Sequence, residues 1–458
     1  MSDLDVVIVG GGIAGLATAY ELSRLGVSFV VLERTQRAGG VIFSEQIDRF
    51  TIDAGPDSLL IQKPDGIKLC QEIGLGDRLV ATKPPRVAYI QRGARLHPLP
   101  AASVLGIPTR VGPFVQTRLF SWAGKIRMGA ELFVRPRRED GDESIASFIT
   151  RRFGSEATEY LAEPLLAGIH AGDVDRLSMR ALFPTFVEAE RTHGSLLRAF
   201  RRRVSAQRSN EGAFKSLPGG LSEMVAALVR VIGEGHIRTG AAVRTIGAQS
   251  TGPYSVETAN GEIVAARAVV IATPAYATAA IVRSRDGALA RRCAEIRYSS
   301  TATVALAFRR EAVGHPLDGS GFVVPRVERS PILASSWLSS KWPNRAPDDH
   351  VLLRAFFGGM RDPEALNLSD ADLIRQSIDA LRPLLHITGR PILTRVYRWE
   401  RANAQHEVGH ADRIAAIESL LAQHPGLFLT GSGFRGTGIP DCVADGRATA
   451  RAVKQWLQ

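Results

Sequence analysis

Two glycine-rich groups in this chain could hold a phosphate or a flat ligand. Near the start, Gly10, Gly12 and Gly15 stand as G-x-G-x-x-G within "VVIVGGGIAGLATAYEL", and Glu33 follows 18 residues after the last of them. The first glycine allows a tight turn, the second lets a pyrophosphate approach the backbone, and the third lets a helix pack closely on a strand. The pyrophosphate then rests on the positive N-terminus of the helix that begins at Ile13 and Ala14. Glu33 offers a carboxylate to ribose hydroxyls and would repel a 2′-phosphate, so the pattern points to a dinucleotide other than NADP. Near the end, "LTGSGFRGTGIPDC" places Gly431, Gly433, Gly436 and Gly438 within eight residues, behind the apolar run Leu427-Phe428-Leu429. Glycine there permits positive φ or close approach of the backbone to something bulky.

The stretch after Glu33 is longer than a plain NAD domain needs. Arg34, Arg37 and the pair Gly39-Gly40 lie in "ERTQRAGG", and Gly55-Pro56-Asp57-Ser58 follow in "DAGPDS". The glycine pair lets a loop lie against a second part of the cofactor, and Arg37 offers a cation to a phosphate. No Ser-His-Asp or Cys-His arrangement and no metal-ligand spacing accompanies these motifs, so no side chain is read as a catalytic acid, base or metal ligand.

Composition narrows the partners. The chain has 458 residues, 45% of them hydrophobic, enough for two or three domains. Lys and Arg number 57 against 46 Asp and Glu, a formal charge of +11. Such a balance suits nucleic acid, an anionic membrane face or a polyanionic small molecule. No nucleic-acid-reading motif is present, so nucleic acid is set aside. Three scattered cysteines, Cys70, Cys293 and Cys442, suit a reducing compartment. The opening "MSDLD" lacks a basic n-region, and the uncharged stretch Val6–Tyr20 is interrupted by glycines and too short to span a bilayer. The expectation is a cytoplasmic protein, soluble or peripheral on a membrane.

The elements that must position these motifs read as α/β. "DVVIVG" and "SFVVLE" are buried parallel-type strands flanking a helix over 13–26. A second set recurs in mid-chain. It comprises a helix over 219–232, a strand over 237–246, two strands over 254–274 joined by the Asn260-Gly261 hairpin, and a final strand, glycine turn and helix. The dinucleotide-binding domain is therefore discontinuous and Rossmann-like. Residues 98–190 look helical: one helix spans 141–154, and a second over 155–173 is kinked at Pro164. The pieces at 300–308, 321–325, 332–338 and 350–358 are β-rich and predict an antiparallel sheet walling a pocket. The expected division is 1–80, 210–280 and 410–458 for the dinucleotide domain, 81–97 and 281–409 for an inserted β-sheet domain, and 98–209 for a mostly helical domain.

The ordered set "VVIVGGGIAGLATAYEL", "ERTQRAGG", "DAGPDSLL", "DESIASFITRRFG", "EPLLAGIHAGD", "LPGGLSEM" and "GTGIPDCVADGRATA" resembles the protoporphyrinogen/coproporphyrinogen III oxidase family. These are FAD enzymes of haem biosynthesis within the flavin amine oxidase superfamily, and the resemblance runs from about residue 4 to 453. It implies FAD as cofactor, a porphyrinogen as substrate, and O₂ as acceptor giving H₂O₂. The implied flavin contacts add Val243, Gly431, Thr437, Gly438 and Ile439 to the residues named above, with the turn beside Gly436 facing the isoalloxazine. A positive helix end there favours the reduced, anionic flavin.

The resemblance also implies that Arg86 pairs with a substrate propionate, that Gly168 leaves room for the macrocycle, and that Leu165 sandwiches a pyrrole ring. Arg95 is read as solvent-facing and His170 as structural. The basic segment 118–138, with Leu119, Phe120, Trp122, Ile126, Leu132 and Phe133, could lie on an anionic membrane or cover a helical core. An amine or carotenoid oxidase of the superfamily, or a non-catalytic flavin-binding protein, stays open as an alternative. The sequence leans slightly to coproporphyrinogen III through its basic balance and carries no signal of oligomeric state.

Overall fold

Leu4–Val9 is apolar from Val6 onward and buried there on both faces, as a central parallel strand must be. A computed structural model describes residues 4–100, 103–104, 107–108, 111–137, 141–204, 212–248 and 253–458. Leu4–Val9 sits between Phe29–Leu32 and Ile263–Ile271, parallel to both. The strand Ile263–Ile271 serves two partners along one edge. Its first half alternates exposed and buried and runs antiparallel to Tyr254–Thr258. Its second half is continuously buried and runs parallel to Leu427–Leu429. One strand thus joins mid-chain and C-terminal segments to the N-terminal βαβ unit.

The region expected as one strand over 237–246 is two. Ile237–Arg238 extends the sheet beside Phe29–Leu32, and Val243–Ala248 pairs with Tyr254–Thr258. Gly240, at φ +68°, turns the chain between them.

A second, seven-stranded sheet carries Leu393–Ala404, Tyr298–Arg309, His350–Gly358, Ala334–Trp337, Gly321–Val323, Ala88–Arg92 and Arg95–Pro98 in that order. It is antiparallel except where Gly321–Val323 runs parallel to Ala88–Arg92. One face packs Val304, Leu306, Leu353 and Phe357 against the helix Asp370–Leu385. The other packs Ala305, Ala307 and Leu352 against Trp342 and against Phe50 and Ile52 of the hairpin formed by Ser44–Ile47 and Phe50–Asp53.

The helical region has its own core, including Phe148, Phe153, Phe186 and Phe200, and reaches the sheet through Ile90 and Val323. The segment expected as a kinked helix over 155–173 takes a different form. A short α-turn, Ser155–Ala157, leads into a ten-residue π-helix, Thr158–Ala167, and a 3₁₀ turn, Gly168–His170. Pro164 offers no N–H and its ring crowds the preceding turn, so the chain widens rather than bends. The Gly168 N–H closes the segment on the Glu163 carbonyl, five residues back.

Candidate active site

Three turns far apart in sequence meet at the start of the helix Ile13–Arg24. Gly39 donates its N–H to the Gly11 carbonyl at 2.7 Å and bridges Gly12, and Gly40 lies over the Gly12 backbone. Gly431, at φ +115°, approaches Ala14, its position held by Asp445, which accepts from the Gly431 N–H and the Thr430 hydroxyl. Gly10 and Gly15 have internal reasons to be glycine. A Cβ at Gly10 would press on the Ala272 carbonyl, and one at Gly15 would overlap the Gly10 carbonyl. Gly12 has none: its φ of −70° suits any residue, and a Cβ there would meet no atom within 4 Å. The helix it precedes has no side-chain cap and no acidic residue in its first turn, so its first amides stay available to an anion.

Glu33 is buried and already braces this turn. Its Oε2 accepts the Gly11 N–H at 2.7 Å, and its Oε1 accepts the Thr35 N–H and hydroxyl at 2.8 Å. Arg37 donates to the Gly40 and Ile42 carbonyls at 2.6 and 3.1 Å and stacks on Phe43, so it shapes the glycine loop from within. Arg34 is exposed at the end of the second strand, and Val243 is half-buried at the start of its own.

The segment Ala54–Ser58 is pinned from the second sheet. Trp399 donates its indole N–H to the Ala54 carbonyl, and Arg354 donates to the Asp53 and Gly55 carbonyls. Gly55 is glycine because a Cβ would overlap the Val41 carbonyl. Asp57 pairs with Lys341 at 2.9 Å and with Arg354 at 3.2 Å. Burial alone would raise its pKa, but those two cations hold the carboxyl well below the usual range. Beside it, Asp53 and Arg345 form an ion pair at 2.8 Å, both fully buried. The Asp57 side chain therefore anchors the loop, while Pro56 and Ser58 occupy the same anchored turn.

The C-terminal turn divides its glycines in the same way. A Cβ at Gly433 would overlap the Tyr298 hydroxyl, and one at Gly436 would overlap the Asp441 side chain, so both answer to the protein itself. Thr437 and Gly438 are half-buried, and Gly438 precedes the buried Ile439 that starts the helix Ile439–Leu457. Asp441 accepts from the Gly438 N–H at 3.3 Å and pairs with Lys63 at 2.7 Å.

Above this turn lies the end of the π-helix. Gly168 has helical dihedrals (φ −60°, ψ −38°), yet a Cβ there would find only the Glu163 carbonyl, at an ordinary 3.7 Å. Ile169 is 67% exposed beside it, and Leu165 is half-buried against the helical core. His170 feels Lys63 and Asp441, which brings this turn to the start of the C-terminal helix. Burial first, then His406 and Lys63, push its pKa down to about 4, so it is neutral at physiological pH. Arg86 is exposed in the loop before Ala88–Arg92, its Nε donating to the Thr82 carbonyl at 3.0 Å. Among the described residues no cluster of His, Cys, Asp or Glu could hold a metal ion.

Residues 13–454 match the family described as flavin containing amine oxidoreductase. The chain belongs to that family. Its cofactor is FAD. At 35% identity the chain resembles the coproporphyrinogen III oxidase of Bacillus subtilis, with 99% of this chain and 98% of that one covered. It resembles the chloroplastic protoporphyrinogen oxidase of Nicotiana tabacum at 28%, covering 100% and 86%. The solved structure of an Exiguobacterium sp. 255-15 protein assigned as a protoporphyrinogen oxidase matches with a TM-score of 0.88 at 33% identity, over 99% of both chains.

The chain's residues fit a flavin dinucleotide. The open space over Gly12, the uncapped helix end and the buried Glu33 form a cradle that no side chain among the described residues fills. Lys341, Arg345 and Arg354 were not legible as site residues. Each is an ordinary cation in a strand-rich region, and each meets its partner nearly 300 residues away. A buried acid in "DAGPDS" does imply a cation somewhere, but only the fold says which one.

Proposed function

We propose that this chain oxidises a porphyrinogen to the porphyrin in haem synthesis, coproporphyrinogen III ahead of protoporphyrinogen IX, with O₂ as acceptor and H₂O₂ as product. The observation that carries this reading is Gly168. Glycine in a helical turn costs about 1 kcal/mol relative to alanine. Here a Cβ would make only one ordinary contact, 3.7 Å from the Glu163 carbonyl, so the packing of the described residues gives no reason for that cost. A flat macrocycle passing close to the backbone would. Relatives support the choice of substrate, since the more similar of the two named above is a coproporphyrinogen III oxidase.

In this reading residues 1–80, 210–280 and 410–458 bind FAD, 81–97 and 281–409 form the substrate sheet, and 98–209 cover it. Gly10, Gly12, Ile13, Ala14 and Gly15 take the pyrophosphate, Glu33 the ribose, and Gly431, Thr437, Gly438 and Ile439 the flavin ring. Leu165 and Gly168 bound the macrocycle, and Arg86 pairs with a propionate through a permanently charged fork. FAD, when bound, supplies two-electron oxidation, so six electrons leave the macrocycle in three rounds and three O₂ become three H₂O₂. No side chain is assigned as acid or base, and the neutral His170 fits that assignment.

Each chemically reduced porphyrinogen mixed with the protein in air tests this. Porphyrin fluorescence should rise faster with coproporphyrinogen III, with about three H₂O₂ per macrocycle. Turnover of an amine with no porphyrin formed would move the chain to another branch of the superfamily. A yellow protein inert to every substrate would be a flavin-binding protein.

We also propose that the chain is cytoplasmic and touches a membrane peripherally. Trp122, Ile126 and Phe133 are 66%, 72% and 84% exposed, and Lys125 lies 4.4 Å over the Trp122 ring. Arg118 is exposed nearby, while Arg138 and the side chains of Arg201–Arg203 lie outside the described residues. Among the described residues, no helix is long and apolar enough to cross a membrane. Co-sedimentation with anionic but not neutral vesicles, lost in Trp122→Ser/Ile126→Ser, is the expected result; equal recovery from both would refute it.

A further inference from the structure

The segment Gln405–His410 runs from the end of the second sheet into the first residue of the helix His410–Leu421, and it touches the Gly168–His170 turn, the helical region and the C-terminal glycine turn. Gln405 is buried and donates to the His170 carbonyl at 3.0 Å, the Ser299 hydroxyl at 3.1 Å and the Asn403 carbonyl at 3.0 Å. The His406 carbonyl accepts from the Ser178 N–H at 2.9 Å, and Asp142 of the helical region accepts from the Gly409 N–H at 3.0 Å. The His406 and His410 rings are buried and stacked, 3.8 Å apart and within 11° of parallel.

Each imidazole aims Nε2 at the glycine turn. His406 Nε2 is 2.9 Å from the Ser432 carbonyl, and His410 Nε2 is 3.1 Å from the Phe434 carbonyl. A carbonyl only accepts, so both rings carry the proton on Nε2. Burial lowers the pKa of both rings, so both are neutral near pH 7, and two cations at that separation would also repel strongly. The peptide unit is planar and trans, so fixing the carbonyls of Ser432 and Phe434 also fixes the opposite direction of the Gly433 and Arg435 N–H groups.

We propose that the stacked pair His406–His410 positions the turn 431–438 for FAD, holding two of its peptide planes and coupling them through Gln405 to the Gly168–His170 turn and through Ser178 to the helical region. These are positioning residues, since neither ring is placed against the cofactor. The cofactor of the family suffices for this role and the identity of the substrate does not enter, so a failed porphyrinogen assay would leave it standing.

The test compares FAD-loaded His406→Leu, His406→Gln, His410→Leu and His410→Gln. Leucine keeps bulk and removes the donor, while glutamine keeps a donor near the position of Nε2. Both leucine variants should retain FAD but shift the flavin midpoint potential and alter the visible flavin spectrum, and both glutamine variants should restore them toward wild type. Steady-state kinetics should show kcat reduced tenfold or more in the leucine variants, with KM within twofold. Wild-type potential and spectrum in a folded leucine variant would overturn the proposal. If a leucine variant fails to fold, His406→Asn stands in, because its shorter reach loses the Ser432 carbonyl. Asparagine and glutamine variants alike in potential and spectrum would then overturn it.

Discussion

Gly12, Gly168 and Gly438 share a property that separates them from the other glycines of the site: a Cβ there would meet nothing closer than 3.4 Å, and none has positive φ. Gly12→Ala should leave the apoprotein's stability within about 0.5 kcal/mol, as expected away from a packed feature. FAD affinity should fall tenfold or more, measured by flavin release on dilution. Gly168→Phe should fold and keep FAD but lose porphyrinogen turnover; wild-type turnover would remove Gly168 from the pocket. Glu33 is a less clean probe, because its carboxylate also holds Gly11 and Thr35. Glu33→Lys should therefore lose both FAD and local order, while Glu33→Gln, which keeps an acceptor, should lose less of each. The sequence singled out Gly12, Gly168 and Glu33. What it lacked was the distinction between a glycine needed by the protein and one needed by a ligand, because that depends on atoms distant in sequence.

At the scale of elements, the ten-residue π-helix is the clearest departure from a reading by propensity. Pro164 was legible as a disturbance, but whether a helix kinks or widens depends on what packs around it, here the core under Leu161 and Leu166. The loop Asp53–Ser58 poses the converse case: its motif was legible and its anchors were not. Arg345→Met leaves Asp53 buried beside no equivalent cation, and should cost about 3–5 kcal/mol of stability. A denaturant midpoint unchanged by that substitution would mean the pair is solvated in solution.

Across the whole molecule, three histidines, the buried His406 and His410 and the half-buried His170, set a pH limit. Burial first lowers the pKa of each: His170 to about 4, His410 to about 3, and His406 downward as well. His410 is also opposed by Arg413, while Asp441 acts in the other direction on His170 and His406. In the unfolded chain these groups titrate near 6.5, so between about pH 6.5 and 4 the unfolded state binds more protons. Their contribution is present above pH 6.5 and is lost as the pH falls toward 4 and below. The melting temperature should drop between pH 6.5 and 4.5, and more gently in His410→Gln; equal slopes would show that His410 titrates normally.

The sequence by itself determined the α/β class and the discontinuous dinucleotide domain, because each is written in local patterns: buried strands, glycine spacing, and an acid at a strand end; FAD followed from the resemblance of the ordered motifs to a known family. Only the tertiary structure decided which cations neutralise Asp53 and Asp57, and that two histidines hold the C-terminal turn. Burial and pairing across hundreds of residues follow from how the sheets close on one another, and no local pattern encodes that.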